Sequence, residues 1–229
     1  MNSVVNVAVG GWYPRGQARL RATLIRRGYE GAFDFWLNEY PPGSPSHQQS
    51  NYSFKTYALT EAARRGRDVL LWVDASGFAV GDVRPVFDEV VADGYFTIDI
   101  GPDKQVQGRW CSDKALAIFG YTRDQAMAMK QVSGMCVGVD LRTAVGREIL
   151  GRWHRFSQTP GCFHGPWSNE RGQASPDPRC LGHRHDQAAL SIIVHELSLK
   201  VHEPTATSMV TMLDYDAESD AVRLAFAGM

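Results

Sequence analysis

The sequence lacks any long apolar run. None of its unbroken apolar stretches exceeds five residues, the length of Val69–Val73, whereas about twenty apolar residues are needed to span a bilayer. The amino terminus has no basic region, and Asn6 interrupts its short apolar stretch, so it does not resemble a signal peptide. We therefore expect no membrane segment.

An excess of positive charge is also missing. The 229 residues include 24 Lys and Arg against 25 Asp and Glu, a formal net charge of −1. Proteins that coat nucleic acids need many cations to neutralise phosphates, so this class is excluded. A nucleic acid acceptor is not favoured, although a basic stripe along Arg15, Arg19, Arg26 and Arg27 leaves it open.

The cysteines form no recognisable pattern. All four are widely spaced and none belongs to a C-x-x-C pair, which argues against a zinc ribbon and against a redox motif. Because nothing else suggests secretion, a cytoplasmic location is expected.

What the sequence does contain is an alternation of predicted strands and helices. Val4–Val9 and Val69–Val73 read as buried strands, and segments with helical spacing follow each strand. This order predicts an α/β fold with a mostly parallel central sheet flanked by helices, in which ligands bind at the carboxyl ends of the strands. Asp74 stands at such an end.

A loop of about 25 residues, 158–182, is long enough to suggest a functional role, and Ser208–Phe226 has the pattern of a hairpin.

Several short motifs occur in an order that resembles one enzyme family. They are Phe54–Thr56, Val69–Ser76, Ala79–Asp88, Val132–Val137 and His185–Ser191. In this order they resemble the donor-site motifs of glycogenin-like glycosyltransferases with the GT-A fold. The resemblance covers roughly Val4 to His202.

The resemblance implies a single GT-A-like domain over residues 1–229. Its nucleotide-sugar-binding half would be 1–100, its acceptor-side half 101–204, and a C-terminal hairpin would occupy 205–229. The implied activity is transfer of a sugar from a nucleoside diphosphate sugar, with a UDP-sugar favoured, to an unidentified hydroxyl acceptor. Retention at the anomeric carbon is implied as well.

The resemblance also assigns roles to individual residues. The catalytic residues would be Asp186, Gln187 and Lys55. The donor would be bound by Gly10, Gly11, Tyr13, Lys55, Asp74, Ala75, Ser76, Ser133 and Gly134. A divalent cation, manganese or magnesium, would be bound by Asp74, Ser76 and His202.

Two positions depart from the family pattern. Ser76 replaces the second acid of the D-x-D motif, and Val132 replaces the Asn before the Ser-Gly pair. Since fewer anionic oxygens reach the cation, we expect it to bind together with the nucleotide-sugar donor.

Two alternatives from other classes stay open at this point. A metal-dependent hydrolase could use the cluster His183, His185 and Asp186, because imidazole and carboxylate both bind divalent cations. A non-catalytic module could bind sugar nucleotides without turnover, which Ser76 and Val132 would favour.

Overall fold

The computed structural model describes residues 1–100, 105–202, 210–215 and 222–224, the last two segments by their backbone only. In these residues there are eight strands, which are β1 (Asn2–Ala8), β2 (Ala32–Leu37), β3 (Val69–Val73), β4 (Gly77–Ala79), β5 (Tyr95–Asp99), β6 (Val132–Asp140), β7 (Val210–Tyr215) and β8 (Val222–Leu224). There are seven α-helices, which are α1 (Tyr13–Arg26), α2 (Phe54–Arg64), α3 (Arg84–Asp93), α4 (Asp113–Phe119), α5 (Arg123–Ala126), α6 (Ala144–Gln158) and α7 (His185–Glu196). None of the described helices is both long and apolar enough to cross a membrane.

The central sheet has five strands in the order β2-β1-β3-β6-β5. Strand β1 pairs in parallel with β2 and β3, whereas β6 is antiparallel to both β3 and β5. Four strands therefore run in one direction and β6 opposes them, which confirms the predicted α/β fold with a mostly parallel sheet.

Strand β3 lies at the centre of the sheet and is buried along its whole length. Leu70 and Trp72 belong to a core shared with α2, α6 and α7, while Leu71 packs with α1 and α3 on the other face. Each such buried side chain contributes about 1.5 to 3 kcal/mol. The apolar run thus serves both faces of the sheet, as expected for a strand covered by helices on both sides.

Three features differ from the sequence-based expectations. The helical spacing of Leu20 and Leu24 predicts a helix from Gln17, but α1 begins one turn earlier, at Tyr13, because Pro14 is accommodated in its first turn. No sequence pattern predicts helix α4; the Ser112 hydroxyl caps it by accepting the Ala115 N–H. The pattern Thr122-x-x-Gln125 predicts a capping box and a helix to Lys130; the capping box is present, but the helix that it opens, α5, ends at Ala126.

The C-terminal hairpin is confirmed in part. Strands β7 and β8 are antiparallel, and β7 also pairs with β4, which gives a second sheet in the order β4-β7-β8. The rest of the predicted hairpin, including its turn, lies outside the described residues.

Candidate active site

A cavity of about 550 Å³ opens at the carboxyl ends of β1 and β3. Most of the site residues implied by the resemblance line it, namely Tyr13, Lys55, Asp74, Ala75, Ser76, Ser133, Gly134, Asp186 and Gln187. Gly10, Gly11 and His202 are not among the lining residues. The cavity therefore brings together residues from four separate motifs.

Lys55 is the centre of the cavity floor. Its Nζ lies 2.9 Å from Asp74 Oδ1, 3.0 Å from Asp186 Oδ2 and 2.8 Å from the Gly134 carbonyl oxygen. An ammonium group has three protons, so each of them faces one acceptor. The Lys55 side chain is 3% exposed. We call Lys55, Asp74 and Asp186 the charged cluster.

The charged cluster contains two carboxylates for one ammonium group. Burial alone would lower the pKa of Lys55, but Asp186 and Asp74 outweigh it, so this pKa lies above its ordinary value. Burial raises the pKa of Asp186 to about 6, against the opposing effect of Lys55 and with a further increase from Asp74. The cluster therefore holds its ammonium group firmly and can take up a proton at Asp186.

Regular elements position both carboxylates. Asp74 directly follows β3, where its N–H donates to the Met135 carbonyl oxygen at 2.9 Å, and its Oδ1 accepts the Trp72 indole N–H at 2.6 Å. Asp186 is in the first turn of α7, where acidic side chains are favoured by the helix dipole. The Trp153 indole N–H donates to the Asp186 carbonyl oxygen at 2.9 Å.

Gly134 in β6 allows Asp186 to approach the sheet. A Cβ atom at this position would lie 2.7 Å from Asp186 Oδ2, which is closer than van der Waals contact permits. Gly134 also supplies the third acceptor to Lys55. The Ser-Gly pair thus shapes the charged cluster from the strand opposite α7.

Gln187 lies beside the cluster in a chain of amide groups. Its Nε2 donates to Gln131 Oε1 at 2.9 Å, and Gln131 Nε2 donates to Gln107 Oε1 at 2.9 Å. The three side chains fix one another's orientation and leave Gln187 at the cavity.

The turn after β1 places two aromatic rings at the cavity. Gly10 and Gly11 have φ values of +72° and +53°, a backbone region that glycine adopts without steric cost. Trp12 and Tyr13, which follow this turn, both line the cavity, with ring centroids 4.6 Å apart. The two glycines therefore shape the turn, while the rings that follow them face the ligand space.

The ligand set for a divalent cation is incomplete. Asp74 Oδ1 already accepts from Lys55 and Trp72, and both Asp74 and Ser76 line the cavity. His202 instead lies with Nε2 at 2.9 Å from Asp93 Oδ2 and Nδ1 at 3.0 Å from the Thr97 carbonyl oxygen. Among the described residues, no three His, Cys, Asp or Glu side chains are placed to hold a metal. The oxygen atoms of Asp74 and Ser76 are of the kind that a hard divalent cation prefers.

His183 and His185 bind backbone carbonyl groups. The Nε2 of His183 lies 2.9 Å from the Cys162 carbonyl oxygen, and the Nδ1 of His185 lies 2.8 Å from that of Phe163. Burial lowers the pKa of His183 to about 4 and that of His185 to about 3. Both neutral rings therefore tie the long loop to α7, and their nitrogens do not converge with Asp186 on a shared ion.

One wall of the cavity was largely missed by sequence reasoning. Tyr52, Trp167 and Arg184 line it, and Trp110 and His185 pack against these residues; we call the five residues the aromatic wall. The His185 ring lies 5.4 Å from Tyr52 and 5.7 Å from Trp167. The guanidinium carbon of Arg184 lies 3.6 Å from the ring centroid of Trp110 and 3.8 Å from that of Trp167. The length of the loop was a signal for Trp167, but nothing in the sequence marked Arg184.

The comparisons with known proteins gave structural matches alone. No family model and no curated protein matches the sequence. The fold is similar to that of a glycosyltransferase involved in the glycosylation of the major capsid of PBCV-1, with 14% identity over 90% of this chain and 85% of that chain and a TM-score of 0.48. Mouse xyloside xylosyltransferase 1 matches at 10% identity over 89% of this chain and 85% of that one, with a TM-score of 0.48.

A third similar structure is the galactosyltransferase LgtC in complex with donor and acceptor sugar analogs. Its identity to this chain is 10% over 84% of this chain and 70% of that one, with a TM-score of 0.40. All three solved structures are glycosyltransferases.

Proposed function

We propose that this protein transfers a sugar from a nucleoside diphosphate sugar, with a UDP-sugar favoured, to a hydroxyl acceptor. The observation that carries the proposal is the charged cluster, in which a buried ammonium group lies between two carboxylates on the floor of a cavity of about 550 Å³. That volume is within the range of small-molecule sites. The cluster lies at the carboxyl ends of the strands, where ligands of open α/β sheets bind.

In this proposal the two sides of the cavity hold different parts of the substrates. Residues 1–100 form the nucleotide-sugar-binding half, with Tyr13 and the Gly10-Gly11 turn beside the nucleoside. Residues 101–204 form the acceptor-side half. Ser133 and Gly134 in β6 contact the donor sugar from that half, and the reacting sugar lies over the charged cluster between the two.

Each residue of the cluster has its own task. The side chains of Asp186 and Gln187 form hydrogen bonds with the transferred sugar. Lys55 keeps both carboxylates in place and offers positive charge as the leaving diphosphate becomes more negative, a form of electrostatic stabilisation that acts strongly in a buried site. We propose retention at the anomeric carbon on the strength of the sequence resemblance.

Manganese or magnesium would be held by Asp74 and Ser76 together with donor phosphates. When bound, such an ion neutralises charge on the diphosphate. His202 does not line the cavity, so its role as a third ligand stays a prediction from the resemblance.

Calorimetric titration of UDP, with and without manganese, tests the proposal. We expect manganese to strengthen UDP binding, and Asp74→Asn to abolish the manganese-dependent part while the amide still accepts the Trp72 bond. Asp124→Asn, at a position 81% exposed and outside the cavity, is the matched control. Absence of UDP binding under both conditions would refute the proposal, and UDP binding without turnover of any UDP-sugar would favour the non-catalytic module.

A further inference from the structure

Arg184 is held in the aromatic wall in an arrangement that the proposed chemistry has not used. We propose that Arg184 binds an acid group, a carboxylate or a phosphate, on the acceptor, so that this site takes anionic acceptors. The inference rests on the proposed function. It depends on three observations, which concern the stacking of the guanidinium group, its charge and its place in the cavity.

Two indole rings lie against the guanidinium group. The ring centroids of Trp110 and Trp167 are 3.6 Å and 3.8 Å from its central carbon. Nη1 donates to the Trp167 carbonyl oxygen at 3.2 Å, and the Arg184 backbone N–H donates to the Trp110 carbonyl oxygen at 3.0 Å. The remaining N–H groups lie in one plane and are fixed before a ligand arrives. A planar fork of this kind matches the two oxygens of a carboxylate or phosphate.

The guanidinium group of Arg184 differs from the Lys55 ammonium group in its charged neighbours. In the described part of the chain no Asp or Glu lies within ion-pair distance of its guanidinium group, whereas Lys55 has two such partners. Burial lowers the pKa of Arg184 to about 10, so the side chain is still a cation at neutral pH. A half-buried cation without a counter-ion is costly, and stacking on two indoles offsets part of that cost. An anionic ligand would supply the missing partner.

The position of Arg184 favours the acceptor over the donor. Lys55 and Arg184 are the Lys and Arg side chains among the described residues that line the cavity. The three protons of Lys55 are already matched by acceptors of the protein. Arg184 belongs to the wall formed by Trp167 and His185, whereas the proposed nucleoside position is at Trp12 and Tyr13 after β1.

A binding experiment distinguishes a carboxylate from a phosphate as the acid group of the acceptor. The probes are glucuronate and glucose 6-phosphate, with glucose as the neutral reference, titrated calorimetrically with and without UDP. Tryptophan fluorescence gives a second readout, because Trp110 and Trp167 stack on the arginine. We expect the wild type to bind the anionic probes about tenfold or more tightly than glucose.

Arg184→Gln should remove this preference and leave UDP affinity unchanged, while Arg184→Lys should retain only part of it because the planar fork is lost. Arg155→Gln, at an exposed position in α6, is the matched control and should behave as wild type. Thermal unfolding confirms that each variant is folded, and Arg184→Lys preserves the test if Arg184→Gln is not.

Three results would overturn the inference. They are the absence of any charge preference in the wild type, a preference that survives Arg184→Gln, and a loss of UDP affinity relative to uridine in Arg184→Gln. The last result would assign the arginine to the donor diphosphate. Because the probes are also titrated without UDP, failure of UDP binding would refute the proposed function while the charge preference would still be measured.

Discussion

The floor and the wall of the cavity are positioned by different kinds of structure. The floor residues Lys55, Asp74 and Asp186 lie at the ends of α2, β3 and α7, elements whose other side chains form the core. Trp167 and Arg184 of the wall come from the 158–182 loop and the segment that joins it to α7. The floor is thus tied to the stability of the whole domain, whereas the wall depends on the hydrogen bonds of the loop and on the contacts of Arg184 with Trp110.

Within the 158–182 loop, bonds from side chains to backbone hold the chain in place. Asn169 is central to them, since its Nδ2 donates to the carbonyl oxygens of Ser175 and Cys180 and its Oδ1 accepts the N–H groups of Ala174 and Ser175. Such a loop can change its exposed residues without repacking the core. Because the floor and the wall are positioned by different structures, the proposed chemistry and the proposed acceptor specificity can be altered separately.

Removing the ammonium group of the floor should have the largest effect. Lys55→Met keeps most of the side-chain volume but leaves the buried Asp186 beside Asp74 without a counter-charge. Breaking a buried ion pair in this way costs about 3 to 5 kcal/mol. We expect a loss of that size in the free energy of unfolding, measured by urea denaturation.

An exposed lysine provides the control for this variant. Lys130 pairs with Asp99 at 3.5 Å and is 78% exposed, so Lys130→Met should change the free energy of unfolding by less than about 1 kcal/mol. Adding Asp186→Asn to Lys55→Met should restore part of the loss, because one of the two unpaired carboxylates is removed. Equal effects of the two lysine variants would contradict the role of the floor in stability.

A steric change at the floor should have the next largest effect. Gly134→Ala places a Cβ atom 2.7 Å from Asp186 Oδ2, so either β6 or α7 must shift, at a cost of up to about 3 kcal/mol. Gly151→Ala in α6 is the matched control, since its Cβ atom would meet nothing within 4 Å. That control should stabilise the protein by about 0.5 to 1 kcal/mol. Thermal unfolding compares the two, and a neutral Gly134→Ala would show that the contact is not tight.

The raised pKa of Asp186 predicts a pH dependence of stability. Its pKa is about 6 in the folded state and 3.8 ordinarily, so the folded state holds the proton more tightly. The stabilisation from that proton is fully present below about 3.8 and is lost as the pH rises through about 6. The difference in unfolding free energy between wild type and Asp186→Asn should therefore fall by an amount on the order of 2 kcal/mol between pH 4 and pH 7.

This difference is measured by urea denaturation at several pH values. Contributions from His183 and His185 are present in both proteins and cancel in the subtraction. If the difference stays constant between pH 4 and pH 7, folding does not raise the pKa of Asp186. Burial would then not control the protonation of this carboxylate.

Asp74 could be predicted from a local pattern, whereas Lys55 and Asp186 were assigned to the floor by the resemblance to glycogenin-like glycosyltransferases. Asp74 comes directly after an apolar run, and Asp186 precedes a segment with helical spacing. These patterns reflect the burial of whole elements, which is the main force that sets the fold. The sequence motifs then placed Lys55 in the same group, and the structure brings it within 3.0 Å of both carboxylates.

The wall could not be predicted because its contacts join residues that no local pattern relates. Arg184 stacks on Trp110 across a wide sequence separation, and the loop between 158 and 182 has no periodicity. Helix α4 was missed for another reason, since seven residues are too few to show a periodic apolar stripe. The position of His202 could not be predicted either. Its bond to Asp93 depends on tertiary packing, which the motif His185–Ser191 earlier in the sequence does not determine.

Removing a ring from the wall should have the smallest effect on stability. Trp167 is 55% exposed, so Trp167→Ala should change the free energy of unfolding by about 1 kcal/mol or less. The same change removes one of the two indole rings that lie against the Arg184 guanidinium group, and we expect binding of glucuronate to weaken several-fold while UDP affinity stays constant. Trp167→Phe, which keeps an aromatic face over the arginine, should retain most of the binding. A loss of stability as large as that of Lys55→Met would instead place the wall in the same cooperative unit as the floor, and the separation between chemistry and specificity would not hold.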